Sequence, residues 1–201
     1  KKGRLLAIMG PSGAGKTSLL HVLAGVLPQC SGQELRGVMS GALYASGALH
    51  DAAFVGQDDT FHAHLSVRET LELAAKLRLA GTSEATRRER VADVLRQLHL
   101  LHCCESRVGS ARERGISGGE RRRLALGCEL VGNPTLVFAD EPTSGLDAFQ
   151  AERMMVVLGA LAREGRTVAP RNELRARAPR QDSSVVLNVP RACPRFGRRW
   201  S

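Results

Sequence analysis

Residues 10–18 read Gly-Pro-Ser-Gly-Ala-Gly-Lys-Thr-Ser and lie between two apolar runs, 5–9 and 19–27. A strand, a glycine-rich turn and a helix in that order make a phosphate cradle, because the turn gathers backbone N–H groups at the positive end of the helix dipole. Gly10, Gly13 and Gly15 allow the sharp turn and the close approach to phosphate oxygens, with Pro11, Ser12 and Ala14 between them. Lys16 adds a full charge within reach of the terminal phosphates, and the hydroxyl of Thr17, ahead of Ser18, is placed to hold Mg²⁺. The chain is thereby restricted to folds in which a strand feeds a helix through this turn, and its ligand to a nucleoside triphosphate.

Such a P-loop leaves kinases, GTPases, helicases and transport motors open, so the other residues must choose. A short apolar run at 135–139 is bounded by Asn133 and Pro134 on one side and by Asp140 and Glu141 on the other, the pattern of a buried strand ending in carboxylates. Asp140 is suited to orient Mg²⁺ through its water shell, and Glu141 to polarise the water that attacks a γ-phosphate. A second short strand, 52–55, ends near Gln57. Between these strands the apolar spacing becomes helical. Val67, Leu71, Ala74 and Ala75, then Val91, Val94, Leu95 and Leu98, predict helices over roughly 66–80 and 84–100, the first opened by a capping box from Ser66 to Glu69.

Ser117, Gly118, Gly119 and Glu120 form another capping box, before a helix with Leu124, Cys128 and Val131 at helical spacing. Its residues allow two readings: a well-capped helix with a solvated arginine face at 121–123, or an N-terminus bared by glycine to face an anion. Residues 32–47, rich in Gly, Ser and small apolar side chains, read as a hairpin or edge strand.

Composition excludes more than it assigns. At 201 residues and 43% apolar content the chain can bury a core as one domain, and no run of about 18 apolar residues is present to span a bilayer. It opens on Lys1-Lys2 with no initiating Met or signal pattern and is read as a fragment. Five cysteines without a C-x-x-C pair argue against a disulfide framework or zinc site and for a reducing compartment; His102-Cys103-Cys104 reads as idle thiols. The net charge of +9 resides mainly in residues 171–201, where eight arginines face Glu173 and Asp182 for a net +6. The body lacks the basic, aromatic-studded stripe of single-strand binders.

In order along the chain, residues 10–17, Gln57, 116–120, 136–141 and 144–147 resemble the motif set of the ATP-binding cassette ATPases. The variant Ile-Ser-Gly-Gly-Glu-Arg-Arg-Arg at 116–123, with the stretches 65–71 and 140–147, is similar to the ABCG or white half-transporters, particularly plant and algal members; the likeness covers residues 4–168. It implies an α/β fold: a P-loop NTPase (RecA-like) parallel-sheet core in three layers, an inserted α-helical subdomain at 58–132, and a small antiparallel β element. The nucleotide-binding domain would occupy 1–168, and 169–201 would be a divergent tail without fixed structure.

The resemblance also implies that two such domains pair head to tail, each ATP lying between the P-loop of one and the Ser-Gly-Gly helix of the other. Gly13, Gly15, Lys16 and Thr17 would then hold phosphate and Mg²⁺, and Gln57 would contact metal or water and couple to a membrane domain. Ser117 and Gly119, with Gly118 and Glu120, would close the partner's site, and Asp147 would be the inter-subunit loop residue. The setting would be the cytoplasmic face of a membrane, with no nucleic-acid partner. One departure stands out. The family continues past a strand like 166–168 into a loop bearing a histidine that senses the γ-phosphate, whereas all six histidines here lie at or before His102. That absence favours, as alternatives, a catalytically impaired nucleotide-binding or dimerisation module; the basic tail alone favours a soluble cassette ATPase.

Overall fold

The computed structural model describes residues 5–10, 14–24, 52–57, 60–110, 112–172 and 184–188, with Val22, Asn172 and 184–188 described by backbone alone. Pro11, Ser12 and Gly13 of the cradle, Asp58 and Asp59, and the 32–47 hairpin with its small antiparallel element lie outside the described residues.

Among the described residues five strands form one sheet: β1 (Leu5–Met9), β2 (Ala52–Val55), β3 (Leu136–Asp140), β4 (Thr167–Asn172) and β5 (Ser184–Asn188). Their order is β2-β3-β4-β1-β5 and every pairing is parallel. Side chains alternate across a strand, and the sheet uses both faces. On one face Ile8, Phe138 and Ala169 enclose Leu20 of α1 (Lys16–Ala24), with Leu6 and Phe54 packed alongside. On the other, Ala53, Val55, Val137, Ala139 and Val168 meet Met154, Val157, Leu158 and Leu161 of α5 (Ala148–Arg163). The result is helix, sheet, helix, the three layers expected from the sequence.

The second core cluster runs on into an inserted helical body: α2 (Val67–Arg78), α3 (Glu84–Gln97), a 3₁₀ turn (Leu101–Cys103) and α4 (Gly118–Leu130). Capping explains where these helices start. Ser66 accepts from the Glu69 amide while Glu69 accepts from the Ser66 amide, and Ser83 accepts from Thr86. Leu71, Ala75, Val94, Leu95, Leu98 and Leu124 are wholly buried between the helices. At the other end of α4, Arg90 of α3 donates to the carbonyls of Leu130 (2.6 Å) and Val131 (3.2 Å), satisfying acceptors that a helix terminus leaves over.

Two stretches of the expected structureless tail, 169–172 and 184–188, are strands, and the rest of 169–201 lies outside the described residues. β4 does not stop at Val168 but continues through Ala169, Pro170 and Arg171, between β3 and β1, and β5 adds a parallel strand along β1 with Leu5 opposite Ser184 and Met9 opposite Asn188. Pro170 has no N–H to give to the ladder, which is unusual inside a sheet. Pairing with β1 nevertheless holds on either side of it, at Leu5↔Val168, Ile8↔Arg171 and Met9↔Asn172. The short apolar run within Ser184–Asn188 covers what would be an exposed strand edge.

Close approach of α4 to its neighbours depends on Gly127. A Cβ there would meet Leu98 Cδ1 at 2.9 Å, Leu71 Cδ2 at 3.0 Å and Val94 Cγ1 at 3.3 Å. Gly127→Ala is therefore expected to cost about 1–3 kcal/mol through overpacking, despite the better helix propensity of alanine. A urea titration checks it; a midpoint equal to or above that of the unaltered chain would show that these three side chains yield freely.

Candidate functional site

Everything chemical converges on the C-terminal ends of the parallel strands, where open α/β sheets place their crevices. β1 ends at Met9, and after the cradle α1 starts at Lys16, preceded by Gly15 with φ of 82°. That left-handed value is one glycine adopts without strain. Lys16 is 2% exposed, and its ammonium donates to the Gly10 carbonyl at 2.7 Å. Ala14, Gly15 and Ser18 flank it, Ser18 exposed.

β3 delivers Asp140, buried, and then Glu141, whose φ of 48° is left-handed in a non-glycine residue. Such strain persists only where surroundings over-determine it. Here the Glu141 amide donates to the Arg171 carbonyl at 3.0 Å, its own carbonyl accepts from Arg122 at 2.9 Å, and its carboxylate accepts from Gln57 Nε2 at 3.1 Å. Its other oxygen lies 3.0 Å from Nη2 of Arg171. The same guanidinium donates through Nη1 to Asp140 Oδ1 at 2.5 Å and to the Thr17 hydroxyl. Arg171 thus gathers Thr17, Asp140 and Glu141 around one planar cation, itself buried.

The helix that begins at Ser117 reaches this cluster from the side. Its capping box is present: Ser117 Oγ accepts from the Glu120 amide and the Glu120 carboxylate accepts from the Ser117 amide. Burial works to raise the Glu120 pKa, but the Ser117 hydroxyl and amide, with His102 at 2.7 Å, prevail and bring it down to about 2. Because the folded pKa is depressed, this cap contributes stability that is complete above the ordinary carboxylate range and is lost only as pH falls toward 2. His102, Cys103 and Glu120 lie within ligand distance of one another. Burial foremost pushes the Cys103 thiol up to about 11, however, and its Sγ donates to the Leu100 carbonyl, while both Glu120 oxygens already serve the helix cap and His102.

The three arginines after the glycines do not form a solvated face. Arg121 donates to the carbonyls of Val108 and Gly109, and Arg123 to Gln150 of α5, while Arg122 and Arg123 are 4% and 3% exposed. Arg122 is the keystone. Nη1 donates to the carbonyls of Gly56 (2.9 Å) and Gln57 (2.8 Å), and Nη2 to those of Asp140 (3.2 Å) and Glu141 (2.9 Å), tying α4 to the ends of β2 and β3.

A family model described as ABC transporter matches residues 1–144. The chain belongs to the ABC transporter family. It is 52% identical over 170 residues to "ABC transporter G family member 7" of Arabidopsis thaliana, covering 84% of this chain and 23% of that protein. It is 46% identical over 173 residues to "ABC transporter G family member 21" of the same plant, covering 84% and 25%. Likeness to "ATP-binding cassette sub-family G member 8" of Homo sapiens is 40% over 176 residues, covering 84% and 24%. The chain therefore spans about a quarter of the length of these ABCG relatives. Among its described residues no helix is long and apolar enough to cross a membrane.

Set against the expectations, this ABC domain brings Lys16, Thr17, Gln57, Asp140 and Glu141 to one edge of its sheet. Ser117 and Gly118 are exposed at the start of α4. Gly119 is buried, and a Cβ there would meet Gln150 Oε1 at 2.4 Å, so it packs within its own chain. Asp147 is exposed and caps α5 through the Gln150 amide at 2.8 Å. Arg122 and Arg171 were missed. Arg122 was hidden among three like residues, whereas Arg171 becomes legible once β4 is extended past Pro170, because register then sets it beside Asp140.

The donors around the expected metal position, a hydroxyl and carboxylates, are of the hard-oxygen kind that divalent ions take. Yet Thr17, Asp140 and Glu141 already surround the Arg171 guanidinium. So arranged, these residues do not fit Mg²⁺.

Replacing the Arg122 fork by a point donor tests the clamp. Arg122→Lys keeps the charge but not the reach to four carbonyls, and should lower unfolding free energy by about 2–3 kcal/mol, with the urea midpoint falling at unchanged m-value. An unmoved midpoint would remove Arg122 from its place as keystone.

Proposed function

We propose that this chain is the ATP-binding and ATP-hydrolysing domain of an ABCG-type half-transporter, which pairs head to tail with a second such domain and drives export from the cytoplasmic face of a membrane. The observation that carries the reading is that Thr17, next to Lys16 in the first turn of α1, and Asp140 and Glu141, at the end of β3, gather around one guanidinium, in a chain of this family. Lys16 and the loop amides would hold the phosphates, and Glu141, oriented by Gln57, would take the proton of the attacking water. Ser117 and Gly118, exposed at an N-terminus whose dipole is directed outward, would complete the partner's site. A transmembrane domain, in the part of such proteins that this chain does not span, would be the coupled element. Nothing in the domain specifies the cargo.

Loss of the buried ammonium should weaken ATP binding by about tenfold or more in Lys16→Ala, measured by titration calorimetry. Equal affinity with and without Lys16 would contradict the phosphate cradle.

The pairing is tested at Gly118, where a Cβ meets nothing within 4 Å, and not at Gly119, where a side chain would displace Gln150. Gly118→Asp sets a carboxylate at a helix start, which the dipole tolerates, but opposes the partner's phosphate by like-charge repulsion. ATP affinity of the single domain should be kept and ATP-dependent dimerisation, followed by light scattering, lost. Dimerisation that persists would refute the sandwich.

A further inference from the structure

Resting on the reading of this site as a nucleotide site, we propose that Arg171 is a built-in cation standing where a divalent ion would otherwise lie, so that the chain binds ATP without Mg²⁺. The geometry is specific. The guanidinium is enclosed by the Thr17 hydroxyl from α1, Asp140 Oδ1 at 2.5 Å from the end of β3, and Glu141 Oε1 at 3.0 Å. It is buried to 8% exposure, and Ile8 of β1 and Asp140 of β3 flank Arg171 in strand register, so its backbone is fixed in the middle of the sheet. Two adjacent carboxylates in so enclosed a position would repel each other and a triphosphate alike unless a positive charge stood between them. A planar fork that donates to both at once supplies that charge with directed hydrogen bonds. Its Nε is buried without a hydrogen-bond partner among the described residues, a donor in excess of the acceptors present.

Two consequences follow. The compensation that phosphates draw from a divalent ion is here covalently attached, so removing Mg²⁺ takes nothing from the site. The same contact holds the Glu141 carboxylate in an ion pair, so Glu141 accepts a proton only after Arg171 has moved off it.

Calorimetric titration of ATP into the full chain, once with excess Mg²⁺ and once with excess EDTA, tests the first consequence. The unaltered chain should show affinities within about twofold of each other, whereas Arg171→Ser, which empties the position, should bind at least about tenfold more tightly with Mg²⁺ than with EDTA. A loss of tenfold or more in EDTA by the unaltered chain overturns the proposal, and that measurement does not depend on any variant folding. Equal Mg²⁺ dependence in the two proteins overturns it as well. If the unaltered chain binds in neither condition while Arg171→Ser binds Mg-ATP, the nucleotide site stands and this inference alone fails. If neither protein binds ATP, the reading of the site fails with it.

Discussion

One guanidinium holds the two halves of this domain in register. Arg122 leaves α4 and divides its donors between the ends of β2 and β3, two carbonyls on each side, in a place almost closed to water. A charge so buried is costly unless acceptors lie close to it, and backbone carbonyls at the end of a strand need donors. Each need meets the other. The inserted helices are thereby tied to the candidate site, so that a displacement of α4 is felt directly at Gln57 and Glu141.

The sheet supplies the remaining constraint. Because all pairings are parallel, the ends of β1, β2, β3 and β4 lie along one edge, and the side chains just past those ends are collected without any loop having to reach for them. Glu141 pays with a left-handed backbone for facing this edge. Contacts to its amide, carbonyl and carboxylate from Arg171, Arg122 and Gln57 keep it there.

Electrostatically the edge is a balance of carboxylates and built-in cations. Asp140 and Glu141 face Arg171, and Lys16 turns its ammonium to the Gly10 carbonyl. A triphosphate entering here would meet a site whose charges are already compensated within the chain. That distinguishes this arrangement from one in which the carboxylates wait for a mobile ion.

What the sequence determined by itself was local. The cradle at 10–18, the capping boxes at Ser66 and Ser117, the helical spacing of Val67 through Leu98 and the apolar strand ahead of Asp140 all depend on residues a few positions apart, whose backbone preferences and periodicity are legible in order. What only the tertiary structure decided involved partners distant in the chain. Arg171 meets Thr17 across 154 positions and Arg122 reaches Gly56 across 66, and neither separation leaves a periodic trace. Gly119 reads as a bare helix start until α5 brings Gln150 against it, and Pro170 reads as a strand breaker until neighbours on both sides hold its strand in place. Local propensity proposes an element, but which buried charge compensates which is fixed only when the sheet has set its strands side by side.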